Sequence, residues 1–435
     1  MTGSREIRLA YGVDGLVVTV PATATVVRPL PAPAFADPAA ALRDALRRPV
    51  AGAPLRDRVR PGQTVAIAIC DPTRPQPRQL MVEAVLDELD GLVRPEDVTV
   101  LIATGTHRAT TDTELRAMLG EQLLSRVRVV DHDSRDDASL AWCGRLGADV
   151  PVWLNRDWVR ADVRITTGFV EPHFFAGFSG GPKMVAPGLA GLETVLTLHD
   201  ARRIGSPQAT WGICEGNPVH DDVRAIAAAT GVSFALDVVL DSDQRIVAAF
   251  GGDVLAMHAV ARERVRATAM VAVPDRFDVV VTTNSGYPLD QNLYQAVKGI
   301  SAAAEVVRDG GTIICAAQCR DGFPDHGGFR DVLASAPTPQ ALAAMIAGRD
   351  RTEPDQWQVQ VLARVLNRAQ VVVHADGLDT ADLRSAHLGC TDDVSVAVAE
   401  ALSAAGPDAS LCVLPEGPQT IAYVEPGSTP PRPGP

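Results

Sequence analysis

Short apolar runs recur along this chain, each closing on a polar turn rich in Gly or Pro and leading into a stretch of helical spacing. TVAIAIC (64–70) ends in DPTRP, and QLMVEAVLDELDGL follows. VTVLIA (98–103) ends in TGTHR and precedes TDTELRAMLGEQLL; RVRVVD (126–131) and ADVRITTG (161–168) come next. In the second half FDVVVTT (277–283) ends in NSGYPLDQN and opens LYQAVKGISAAAEVV. GGTIICAA (310–317), AQVVVHA (369–375) and ASLCVLPEG (409–417) complete the series. Strands that are apolar throughout, rather than alternating, bury both faces, so the pattern predicts parallel sheets covered by helices. The expected class is α/β: two α/β domains with mostly parallel sheets and a cleft between them.

Residues 6–29 read as short strands around the turn Gly12–Gly15, and Asp37 caps a helix over PAAALRDALRR. A chain of 435 residues exceeds one ordinary core. The boundary falls near 265–276, giving an N-terminal domain 1–270, a C-terminal domain 271–424 and a disordered Pro-rich tail 425–435.

A formal charge of −13 argues against nucleic acid or an anionic membrane surface as a partner. The N-terminus shows no apolar stretch behind a basic one, and no run of 18 uncharged apolar residues occurs. Seven scattered cysteines without a C-x-x-C spacing fit buried thiols in a reducing, cytoplasmic setting.

In an acidic protein an anionic ligand needs local positive charge, which directs attention to residues 171–188, EPHFFAGFSGGPKMVAPG. Three prolines exclude a regular helix and four glycines prevent a core face. Such a loop can form a backbone cradle for an anion, lined by Gly177, Ser179, Gly180 and Gly181, with Lys183 as the cation. It is not a nucleotide-triphosphate loop: Pro182 and Met184 stand where the G-x-x-x-x-G-K-[ST] template wants Gly and a hydroxyl.

Asp71 and Arg74, His107, and His173 each follow an apolar strand at its carboxyl end, the edge where open parallel sheets bind ligands. Arg74, in a stiff Pro-flanked loop, suits a carboxylate or phosphate; the alternative is a surface ion pair with Asp71. His107 suits a general base, or else is structural. His199 follows the cradle on ETVLTLHD, either returning to it or lying on a helix face. Tyr294 and Lys298, four apart around Gln295, share a helical face that points into a cleft or to solvent. Cys315, Cys319 and His326 have spacing too irregular for a metal site, so Cys315 reads as strand core and His132 as surface.

Taken in order, DPTRP, ATGTHR, EPHFFAGFSGGPK, His199, YQAVKG and LPEGPQT resemble the nickel-dependent lactate racemase family over residues 10–424. The resemblance implies two α/β domains with the active site between them and racemisation or epimerisation of a small 2-hydroxy acid. It implies a nickel-pincer nucleotide, a pyridinium mononucleotide whose thioamide and thiocarboxylate arms hold nickel, supplied by cofactor-building proteins. Carried over, Lys183 is the covalent tether and His199 the nickel ligand. His107 and His173 are the acid/base pair, Asp71 and Arg74 position substrate and cofactor, and Tyr294, Gln295 and Lys298 are the second domain's contribution. A competing expectation is a carrier that binds a nucleotide without turnover.

Overall fold

In a computed structural model, residues 3–324 and 327–425 are described. The chain divides into two compact units. The first comprises Pro31–His199 and Ser206–Arg266; the second comprises Met1–Leu30, Asp200–Gly205 and Ala267–Pro435.

The first unit is built on a six-stranded sheet of β1 (Val65–Cys70), β2 (Val98–Ala103), β3 (Arg128–Asp131), β4 (Val163–Phe169), β5 (Phe234–Leu240) and β6 (Ile246–Gly252), in the spatial order β6-β5-β4-β1-β2-β3. All neighbours are parallel except β5 and β6. Every residue of β1 is buried, as expected of a strand covered on both faces. The helix Arg78–Leu89 links β1 to β2, and Asp112–Leu124 links β2 to β3. The latter starts at a reciprocal cap, in which Thr111 accepts from Glu114 N–H and the Glu114 side chain accepts from Thr111 N–H. Asp37 caps Pro38–Arg47 by accepting the Ala40 N–H at 2.9 Å.

The second unit carries a six-stranded, all-parallel sheet. Its spatial order is Gly389–Cys390, Gln370–His374, Val307–Ala316, Phe277–Thr283, Leu411–Leu414, Thr25–Val26. Mixed α/β architecture with mostly parallel sheets is therefore the fold of both units.

The expected 1–270 domain needs correction. The antiparallel hairpin Ser4–Leu9/Leu16–Pro21 places Ile7, Leu9, Val18 and Val20 in one core with Val279, Val281, Ile314 and Val413. Thr25–Val26 then forms the edge of the second sheet, so the first 30 residues belong to the second unit. Alternation along the hairpin signals one buried face but not which sheet it covers. The tail from residue 426 and His326 lie outside the described residues. Among those described, no helix is long and apolar enough to cross a membrane.

Candidate functional site

Strands β4, β1 and β2 are adjacent and parallel, so the loops bearing His173, Asp71–Arg74 and His107 leave the same edge of one sheet. The loop after β1 is pinned by two residues that the sequence reading overlooked. Gln76 accepts the Cys70 N–H at 2.7 Å and donates to Thr167 Oγ1 at 2.9 Å. Arg78, largely buried, donates to the carbonyls of Cys70 (2.8 Å), Gln76 (3.2 Å), Asp71 and Arg74. A guanidinium fork satisfying four carbonyls of one turn holds it rigid.

Asp71 is 3% exposed. Its Oδ2 lies 2.5 Å from His107 Nδ1, and its Oδ1 accepts from Thr73 Oγ1 at 2.8 Å. Burial by itself raises a carboxyl pKa, but the His107 ring, Arg74 and Thr73 more than offset it and pull Asp71 down to about 2. The ionised carboxylate only accepts, so in the neutral ring of His107 Nδ1 carries the proton and Nε2 the lone pair. Arg74 makes no ion pair with a described residue; its guanidinium donates only a long 3.4 Å contact to Thr73 Oγ1.

His173 sits in the small hairpin Pro172–His173/Gly177–Phe178. Its Nδ1 accepts backbone N–H groups from Phe175 (3.5 Å) and Ala176 (3.3 Å), which places the proton of the neutral ring on Nε2. The two histidines are thus held in opposite tautomers.

Phe175, another residue the sequence reading passed over, gathers three candidates around one ring. Its centroid lies 4.5 Å from that of His173, 5.2 Å from that of His199 and 5.7 Å from Lys183 Nζ. His199 ends the helix Leu192–Leu198, is buried, and donates from Nδ1 to the Val195 carbonyl at 2.7 Å. A carbonyl can only accept, so Nε2 of His199 bears the lone pair, the state a metal requires.

Lys183 lies on the 3₁₀ turn Gly181–Met184. The anion-cradle reading of the glycines before it is not what the structure favours. The Gly181 N–H is spent on Asp237 Oδ2 at 2.6 Å, Ser179 N–H on the Glu171 carbonyl at 2.9 Å, and Ser179 Oγ on the Phe169 carbonyl at 3.1 Å. Glycine is required there for closeness: a Cβ at Gly177 would meet the Ile213 carbonyl at 2.2 Å, and one at Gly181 would meet the His258 ring at 2.5 Å. His132, expected at the surface, is buried and donates from Nε2 to the Ala190 carbonyl at 2.9 Å. Cys315 is strand core, fully buried.

Tyr294, Gln295 and Lys298 belong to the second unit, on the helix Leu293–Ala304. Asn292 caps this helix by accepting the Gln295 N–H at 3.1 Å. Lys298 Nζ donates to Gln295 Oε1 at 2.7 Å, and Trp357 Nε1 donates to the Tyr294 hydroxyl at 3.2 Å. Phe329 meets the Tyr294 ring edge-on at 5.3 Å.

One compositional signal escaped the reading altogether. Of the 40 Lys and Arg residues only two are lysines, Lys183 and Lys298. Both are among the candidate site residues, and a lysine differs from the arginines used elsewhere in carrying a primary amine.

Comparison with known proteins places the chain in a family. Residues 11–212 match the lactate racemase N-terminal domain and residues 273–422 the lactate racemase C-terminal domain. The lactate racemase of Thermoanaerobacterium thermosaccharolyticum is 36% identical over 381 residues, 87% of this chain and 89% of that one. That of Lactiplantibacillus plantarum is 36% identical over 376 residues, 86% and 88% of the two chains. The solved structure of the Thermoanaerobacterium lactate racemase apoprotein superimposes with a TM-score of 0.90 at 34% identity, covering 96% of this chain and all of the other. A Thermotoga maritima protein of 19% identity, with a TM-score of 0.66, shares the fold.

Proposed function

The chain belongs to the lactate racemase family, and from this we propose that it interconverts the enantiomers of a 2-hydroxy acid, lactate or a close relative, using a nickel-pincer nucleotide. It is an isomerase of the racemase type. The single observation carrying the chemical reading is the buried Asp71–His107 pair, which leaves a lone pair on a partly exposed imidazole.

The residues fit the nucleotide. Lys183 offers a primary amine for the covalent tether, and His199 offers an imidazole Nε2 of the tautomer that nickel takes. Among the described residues no group of three or more His, Cys, Asp or Glu gathers as a metal site, so nickel held by His199 would draw further donors from the nucleotide's sulfur-bearing arms. When bound, the group supplies a hydride acceptor, which lets a planar 2-keto acid form and be reduced on its other face.

The chain's own residues manage the protons and the charge. His107 Nε2 takes the substrate hydroxyl proton, and Asp71 stabilises the imidazolium that results. His173 presents Nε2–H to the oxygen on the other side. To deliver that proton without becoming an imidazolate the ring must first take one at Nδ1, and the backbone contacts made there, 3.3 and 3.5 Å, are weak enough to be given up. Arg74, which makes no ion pair with a described residue, receives the substrate carboxylate. Cofactor-building proteins are the partners this reading requires. The seven cysteines are free thiols, which supports a reducing, cytoplasmic setting.

The test is chiral analysis of single-enantiomer 2-hydroxy acids with protein produced alongside the cofactor-building proteins. The expected results are racemisation, bound nickel and a mass adduct on Lys183. A folded protein showing none of the three would refute the reading.

A further inference from the structure

The turn that carries Lys183 is gripped from two sides by residues with no assigned role. Asp237, on β5, is fully buried and stands in register with Gly168 of β4. Its Oδ2 accepts the Gly181 N–H at 2.6 Å, two residues before the lysine. A Cβ at Gly180 would come within 2.7 Å of the same oxygen, and one at Gly168 within 3.0 Å of Oδ1. The carboxyl therefore fills the space that glycines on both sides leave open. From the helix Val254–Ala269, His258 donates from Nε2 to the Ser179 carbonyl at 2.8 Å and lays its ring against Gly181. His220 stacks on His258 with ring centroids 5.7 Å apart, fixing the plane of that ring.

A lysine on a Gly-Gly-Pro turn has a mobile stem and a backbone with intrinsic freedom at two positions. Forming a bond at its amine requires the turn to be placed before the ligand arrives, since each ångström of misplacement lowers the rate. Asp237 fixes the amide at the head of the turn and His258 fixes the carbonyl two residues earlier. Together they remove the freedom that the glycines introduce.

We propose that Asp237 and His258 are positioning residues for Lys183, clamping residues 179–181 so that its amine is presented in one place to a thiocarboxyl arm of the cofactor, where the C–N bond of the thioamide would form with loss of water. This rests on the reading of Lys183 as the tether.

The test uses the full chain produced with the cofactor-building proteins, in four variants. Asp237→Ala and His258→Leu remove the grip. Asp237→Asn keeps an acceptor for Gly181, and His258→Gln keeps a donor for the Ser179 carbonyl. Two quantities are measured on each: the fraction of chains with a mass adduct on Lys183, and amide exchange of the 179–184 segment in protein made without the cofactor. In Asp237→Ala and His258→Leu the adduct should fall at least tenfold and the exchange should rise at least tenfold, with unchanged circular dichroism. Asp237→Asn and His258→Gln should restore both. Wild-type adduct levels in folded Asp237→Ala and His258→Leu would overturn the proposal. Should those two fail to fold, the Gly181 amide of the wild-type chain decides, and exchange as fast as in an unstructured peptide would overturn it. If wild-type protein itself carries no adduct, the tether reading fails, while the exchange measurement still tests the clamp.

Discussion

Asp71 and His107 are joined by a 2.5 Å contact between Oδ2 and Nδ1, the shortest link between two side chains proposed to act on substrate. It orients the ring, selects the tautomer and, in the proposed mechanism, supplies a countercharge for the imidazolium.

Asp71→Asn is expected to lower the racemisation rate on the order of 10²–10⁴-fold while preserving the fold. The amide would turn its NH₂ toward Nδ1, moving the ring proton to Nε2 and removing the base. Chiral analysis against time measures the loss. A rate within threefold of wild type would dissociate the pair from catalysis.

The same carboxyl sets an acid limit on stability. Its folded pKa of about 2 lies below the unfolded value of 3.8, so the unfolded chain binds the proton more readily. The contribution is present above about pH 4 and is lost as pH falls through 2; a difference of this size corresponds to roughly 2 kcal/mol. Denaturant midpoints of wild type and Asp71→Asn should converge over that window.

Asp237 titrates in the opposite sense. Burial lifts its carboxyl to about 7, against the pull of the Gly181 and Gly168 N–H groups. The folded state then holds a proton that the unfolded state releases near pH 4, so stability is fully present below that and declines as pH rises through 7. Asp237→Asn should therefore gain stability relative to wild type between pH 5 and 8, by up to about 4 kcal/mol. Thermal melts at pH 5 and pH 8 check the sign.

Lys183→Arg keeps the positive charge and removes the primary amine. It should fold normally and show no covalent adduct, because a guanidinium is a poor nucleophile that stays protonated. An adduct of unchanged mass elsewhere on the chain would move the tether.

Phe175→Leu removes the ring against which His173, His199 and Lys183 all pack. A loss of about 1–2 kcal/mol in stability is expected from the buried volume alone. Racemase activity should fall by more than tenfold, since three site residues lose a shared support. Activity close to wild type would make the ring a packing residue only.

Much of the first sheet could be read from the chain because strands covered on both faces are continuous apolar runs, as in β1 and β2. β5 was missed: Asp237 interrupts FALDVVL, and one strand cannot reveal that its carboxyl meets a glycine turn 56 residues away. The loops holding Asp71, His107 and His173 were legible because each punctuates a strand with Pro or Gly. The glycines of residues 177–181 were legible as special, but composition cannot distinguish closeness to a ligand from the closeness to Ile213 and His258 found at Gly177 and Gly181. Phe175, Gln76 and Arg78 carry no local signature; only folding shows what they touch.

The interleaving of the two units bears on how the molecule is made. The strand at Thr25–Val26 pairs with Leu411–Leu414, which is synthesised only after the whole of the other unit. The sheet within residues 31–266 can form before Phe277–Thr283 and Leu411–Leu414 are made, whereas the hairpin Ser4–Pro21 waits for those later strands to cover its apolar face. The unit bearing both histidines is thus assembled as an insert within an unfinished one, whose early hairpin stays exposed to wrong partners in the meantime.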